Sequence, residues 1–231
     1  MKYRIFLFCA FLLDNAQYAK CQVDPVGTFN RHVFETWKGE AVRIGPFSVK
    51  GSPYLFGEAF DGSIYYKGGN NFYKARILYD VYHQKAGVEL QGMIYEAAEP
   101  VDSFTIILPQ QFGGKKLFFK SNSFYAEDKK GFYNIVEEGD KVSLLKMYKS
   151  KLIADPNNNM DTKSKVFEQY AEYYLFKKVD KTLHSIKLRK KDFLKEFEDE
   201  NFSTQYLVNN TVDFTREEDI AKMMNAYNQS K

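Results

Sequence analysis

The sequence predicts an α+β protein that is mainly β. An antiparallel β-sandwich/roll or open barrel body spans residues 41–189, and a short helical C-terminal segment packed on the body spans 190–231. Three observations support this. Apolar and polar residues alternate with period 2 from about residue 41 onward. Turn signals recur between short runs, with no helical spans to build parallel βαβ units. The last stretch changes to helical spacing.

The strands follow in order. Gly51-Ser52-Pro53 reads as a bend delivering the chain to the sheet, since proline cannot sit in a central ladder. Ser63–Lys67 is a short strand, and Gly68-Gly69-Asn70-Asn71 supplies the positive-φ positions of a tight hairpin. The return strand, Phe72–Tyr82, sets Tyr73, Ala75, Ile77, Tyr79 and Val81 on one side, with Lys74, Arg76 and Asp80 among their alternates. Phe72 and Tyr82 lie on its polar side as candidate surface aromatics. Val88–Leu90, Met93–Ala97, Val101–Leu108 and Leu117–Lys120 continue the pattern. Phe132–Val136 and Val142–Lys149 flank the turn Glu137-Glu138-Gly139-Asp140.

Residues 165–188 are ambiguous. Phe167, Tyr170, Ala171 and Tyr174 have helical spacing, yet Tyr170, Tyr174 and Phe176 also fit a strand. A last hairpin ending in Leu183–Leu188 is the expectation. Beyond it, Phe193, Leu194 and Phe197 share a helical face, and Ser203–Val208 forms a second short helix. Thr215 and Glu218 have capping-box spacing before the stripe Ile220, Met223, Met224 and Tyr227.

The N-terminus reads as a secretory signal peptide, residues 1–21. Lys2 and Arg4 precede the apolar run Ile5–Leu13, which is too short to span a bilayer. Ala19 and Cys21 place small residues at −3 and −1, leaving Gln22 as the mature N-terminus. Removal of that segment takes both cysteines, Cys9 and Cys21, and lowers the net charge from +3 to +1. Disulfides, thiolate metal sites and cysteine nucleophiles are thereby excluded, and no basic excess points to nucleic acid. Residues 22–40, with Trp37, form a loosely ordered lead-in.

Several segments resemble a family of uncharacterised exported proteins common in Bacteroidetes-type bacteria. They are GSPYL (51–55), GSIYYKGG (62–69), ILYDVY (77–82), EEGDKVSLLK (137–146), YYL (173–175) and DIAKMMNAYN (219–228). The resemblance implies export, a β-rich body and a helical C-terminus. It implies no activity and no site residues.

Catalytic signatures are missing. His32, His83 and His184 stand far apart, and no nucleophile elbow, Walker A loop, dinucleotide fingerprint or His-Glu-x-x-His motif occurs. No motif calls for a cofactor. Asp155, Asn157, Asn159 and Asp161 match the first half of a calcium loop incompletely. Met160 replaces the turn glycine, and Val166 the bidentate glutamate. Lys187, Arg189, Lys190 and Lys191 form a candidate contact for anionic surfaces, followed at once by the acidic run 196–200. Tyr54, Leu55, Phe56 and Phe60 lie outside any firm strand and are a candidate exposed interaction patch.

These features favour a non-enzymatic, exported cell-envelope protein, periplasmic or outer-membrane-associated to extracellular, acting as a binding or interaction module. Its expected partner is another envelope protein or envelope component, with no nucleic acid and at most peripheral membrane contact. Two alternatives stand beside it: a carrier of a hydrophobic ligand such as a lipid inside a curled sheet, and a glycan-acting hydrolase.

Overall fold

Period-2 sequence becomes twelve strands among the described residues, which in this computed structural model are 42–44, 47–67, 72–97, 100–125, 130–157, 164–197 and 200–230. The strands are β1 (Val42–Ile44), β2 (Phe47–Lys50), β3 (Phe60–Tyr66), β4 (Phe72–Asp80), β5 (Lys85–Leu90) and β6 (Met93–Glu96). They continue as β7 (Val101–Ile107), β8 (Lys116–Ser121), β9 (Phe132–Glu137), β10 (Val142–Ala154), β11 (Ser164–Lys177) and β12 (Thr182–Ile186). All join one sheet in the order β1-β2-β11-β10-β9-β8-β7-β3-β4-β5-β6. Since β10 takes one edge of β11 along its length, β2 and β12 share the other edge. The sequence predicts antiparallel pairing, and every described pair but one obeys it. Ser48–Lys50 of β2 run parallel to Ser164–Val166 of β11.

That exception has a structural reason. β2 must run in this direction to deliver Gly51–Tyr54 across the gap between β11 and β4. Gln169 Nε2 of β11 donates to the carbonyls of Ser52 (3.0 Å) and Tyr54 (2.8 Å). On the far side, Val81 N donates to the Pro53 carbonyl at 2.9 Å, and Tyr54 bridges Asp80. The expected bend at 51–53 is thus the staple that draws the two flanks of an open roll together.

The roll is filled. Phe60, Ile64, Ile77, Tyr79, Phe104, Ile106, Phe119 and Phe132 are buried on its concave side. Phe104 and Phe119, directly opposite on β7 and β8, stack with centroids 4.5 Å apart. Such a pair adds about 0.5–1.5 kcal/mol beyond its burial. The alternation expected of β4 holds over Lys74–Ile77, where Ala75 and Ile77 turn toward this core and Lys74 and Arg76 are exposed. It departs at both ends: Tyr73 is 57% exposed, and Leu78 and Asp80 on the opposite face are buried. Tyr54 of the staple, with Ala59 and Ile94, packs against Leu78 on that opposite face.

β11 resolves the ambiguity of residues 165–188 as a strand. Its C-terminal half is covered on both sides, so it shows a continuous apolar run rather than alternation. Leu175 packs beneath the helices, while Tyr174 and Phe176 join Tyr133, Leu145 and Met147 on the other face.

The C-terminal helices are α1 (Lys190–Glu196), α2 (Glu200–Asn209) and α3 (Glu217–Gln229). The predicted stripe on α3 is the buried one: Ile220, Met223 and Met224 are fully covered against Val142, Leu144 and Leu175. The predicted capping box does not form. Arg216 is the N-cap without a side-chain bond, and Thr215 Oγ1 donates instead to Asp213 Oδ1 at 2.7 Å. The sheet takes the acids of the first turn: Lys146 bonds Glu217, and Lys115 bonds Glu218. Among the described residues no helix is long and apolar enough to cross a membrane. The expected signal peptide, the lead-in with Trp37, His32 and the hairpin turn at 68–71 lie outside the described residues.

Candidate functional site

At one end of the roll, the starts of β5, β7 and β9 and the ends of β6 and β8 surround an open cleft of about 430 Å³. That size lies in the usual range of small-ligand sites. Its floor is apolar, formed by Ala86, Val101 and Phe132, the last also an edge ring of the aromatic core. Its rim is polar. Lys85 and Glu96 pair at 2.5 Å across adjacent strands, and Ser121, Ser123 and Lys130 stand opposite.

A part-buried hydrogen-bond chain fixes the back of this cleft. The Tyr79 hydroxyl donates to Gln84 Oε1 at 2.6 Å. Gln84 Nε2 donates in turn to the carbonyls of Val81 (2.7 Å) and Tyr148 (2.9 Å). Because Tyr148 belongs to β10, one glutamine ties the β4–β5 turn to the opposite flank of the roll. Burial pushes the Tyr79 hydroxyl well above the usual tyrosine range, with the Asp80 and Tyr133 side chains adding to the effect. Tyr79 therefore stays protonated and donates at any ordinary pH.

The local backbone is shaped to allow this. Gln84 sits in the left-handed region at φ 60°, which is strained for a residue with a side chain. Gly131 faces it at φ 109°, and a Cβ there would lie 2.3 Å from Gln84 Oε1. Only glycine leaves the amide room to seat. Nearby, the fully buried Asn122 donates Nδ2 to the Lys130 carbonyl at 2.9 Å. Its backbone N–H reaches the Gly131 carbonyl at 3.0 Å.

A second polar cluster lies where α3 meets the sheet. Lys146 and the Tyr173 hydroxyl converge on Glu217, at 2.5 Å for the tyrosine. The ammonium lies 4.7 Å from the Tyr148 ring centroid. Burial alone would lower the Lys146 pKa, but Tyr148, Glu217 and Tyr173 more than reverse this and raise it. Burial and the Glu217 hydrogen bond push Tyr173 up to about 12. These groups satisfy one another and serve to dock the helix.

The candidates drawn from sequence fall elsewhere. Tyr54, Leu55 and Phe60 are buried at 2%, 3% and 5% exposure, and Phe56 packs half-buried against the core. They do not form the expected exposed patch, because the staple folds them inward. Exposed aromatics occur instead at Phe72, Tyr73 and Tyr82. For the calcium half-loop, Asn159 and Asp161 lie outside the described residues. Asp155 is engaged already: it pairs with Lys50 Nζ at 2.7 Å and accepts from Asn157 N at 2.9 Å. Lys50 holds its carboxyl below the usual range. Among the described residues no three His, Cys, Asp or Glu side chains group as metal ligands. His83 is oriented by Asp80 Oδ2 at 2.8 Å, and His184 lies 3.2 Å from Glu196 Oε2. Lys187, Arg189 and Lys191 line a separate pocket, whereas the exposed Lys190 does not.

Sequence reading missed the cleft and both residues that shape it, Gln84 and Gly131. The sheet order keeps the β5 start and β6 end on the rim opposite the β7 start, and only the curl of the sheet brings them together. Comparison with family models, curated proteins and solved structures finds nothing that matches this chain.

Proposed function

We propose that this chain is an exported, non-enzymatic cell-envelope protein acting as a binding module, with the cleft at the mouth of the roll as its binding site. The observation that carries this reading is the preformed cleft itself, an apolar floor inside a polar rim. Its back wall is held by the Tyr79–Gln84–Tyr148 hydrogen bonds. A site held rigid before binding loses less conformational freedom when a partner arrives. Lys130 on the rim suits an acidic group on an envelope component, while Lys85 is paired with Glu96. The basic and apolar N-terminal segment supports export.

The side chains filling the roll favour recognition at its mouth over carriage of a lipid inside it. A glycan hydrolase needs two carboxylates about 5–10 Å apart. Among the described lining residues Glu96 is the one carboxylate, already paired with Lys85.

The test is a backbone-amide NMR titration with soluble envelope material: peptidoglycan fragments, lipopolysaccharide-derived glycan, and purified envelope protein domains. Shifts gathered at 84–86, 96–101, 121–123 and 130–132, abolished by Val101→Trp, are expected. Shifts gathered elsewhere and indifferent to V101W would overturn the assignment.

A further inference from the structure

We propose that a second pocket, at the junction of β12 and α1, binds a phosphate-class oxyanion. The pocket is about 320 Å³ and is lined by Ser185, Lys187, Arg189, Lys191 and Lys195, together with Asp192, Ile186 and Glu196. It shares no lining residue with the cleft.

A tight bend and one regular spacing bring these cations together. Lys187 and Arg189 flank the turn that follows β12, where the Arg189 N–H donates to the Lys187 carbonyl at 2.7 Å. Lys191 and Lys195 are four apart on α1 and share a helical face. The bend between strand and helix turns the two pairs toward one concavity. Lys178, Lys149 and Lys85 elsewhere sit beside a carboxylate. None of these four cations forms an ion pair among the described residues. Like charges gathered in this way repel one another, and a bound anion relieves that repulsion.

The acids of the pocket are consistent with an anion as ligand. Glu196 is already occupied, with Lys177 Nζ at 3.4 Å and His184 Nδ1 at 3.2 Å. Asp192 is the one lining acid without an ion-pair partner among the described residues, so the concavity retains a cationic surplus. An arginine fork with three ammonium groups and the Ser185 hydroxyl suits the tetrahedral, multiply accepting oxygens of a phosphoryl group. The group could be free or part of a lipid headgroup.

The experiment uses the full mature chain and two probes. Inorganic phosphate is titrated calorimetrically at low salt. Co-sedimentation is measured with phosphatidylglycerol vesicles against phosphatidylcholine vesicles. Binding of phosphate alone supports the proposal with a free oxyanion as ligand. Binding of phosphatidylglycerol but not phosphatidylcholine supports it with a lipid headgroup as source. In either arm, R189Q/K191Q should weaken binding at least tenfold, and D192N should strengthen it severalfold. K190Q, an exposed lysine outside the pocket, should leave it unchanged. The substituted side chains are exposed or half-buried, so circular dichroism melting should confirm that each variant folds. Single R189Q replaces the double variant if it does not. Failure of both probes overturns the proposal. So does an equal loss in K190Q, which would reduce the effect to general surface charge.

Discussion

At the scale of single residues, two glycines and two amides set the geometry. Gly131 leaves space for Gln84, and its φ of 109° penalises any side chain. Gly131→Ala should therefore lower stability by about 1–3 kcal/mol, read by chemical denaturation. It should also weaken binding at the cleft, because Gln84 must leave its seat. Gly139 plays the same part for Asn228. The Asn228 side chain imitates a strand edge, accepting from the N–H groups of Lys141 and Val142 and donating to the Val142 carbonyl, each at 3.0 Å. A Cβ on Gly139 would lie 1.8 Å from Asn228 Nδ2. Asn228→Ala should cost about 1–3 kcal/mol by orphaning partly buried backbone groups. Once it is made, Gly139→Ala should add little, since the clash has gone. A double-mutant cycle reads that coupling, and full additivity would contradict it.

At the scale of elements, α3 is docked by an apolar stripe and by ion pairs at its first turn. Glu217 accepts from Lys146 and Tyr173, so Glu217→Gln should cost about 1.5–3 kcal/mol, the range for hydrogen bonds to charged groups. This junction, together with the aromatic cluster on the sheet's other face, predicts a pH dependence. Tyr173 and Tyr133 are both pushed up to about 12, chiefly by burial, against about 10 in the unfolded chain. The folded state thus binds more protons than the unfolded state between these values. Their contribution is complete below pH about 10 and is lost as pH rises toward about 12. Lys146, also raised when folded, acts in the same direction. Denaturation midpoints measured from pH 9 to 12 should fall, together with cooperative tyrosinate absorbance. A flat profile would contradict this account.

Elements also show how much the sequence disclosed. β4 was legible because exposed Lys74 and Arg76 alternate with inward Ala75 and Ile77, as period 2 requires. β11 was not, because helices cover one face of its Tyr-Tyr-Leu-Phe run and an aromatic cluster covers the other. The α3 stripe was legible from local spacing alone. The capping box misled because Glu217 and Glu218 have distant lysine partners, which outcompete a local bond. The cleft was illegible for a related reason: its lining comes from five strand ends that the sheet order separates and only the curl of the sheet brings together.

At the scale of the whole molecule, the sheet curls because one short segment, Gly51–Tyr54, bonds to both flanks. Gln169→Ala should therefore loosen the roll, raising amide hydrogen exchange in β4 and β11 together rather than in β11 alone. Export makes a separate prediction. Mass spectrometry of the protein from the extracytoplasmic fraction should find a chain starting at Gln22, and an intact Met1 there would contradict signal removal. The central claim is that the mouth of the roll is where a partner binds. Site-specific photocrosslinking in intact cells tests it most directly, with the crosslinker placed in turn at Val101 in the cleft and at the exposed Val208 on α2. The account predicts a discrete adduct from position 101, lost when Ala97→Trp fills the cleft, and none from position 208. Equal adducts from both positions, or an adduct at 101 that survives A97W, would contradict it.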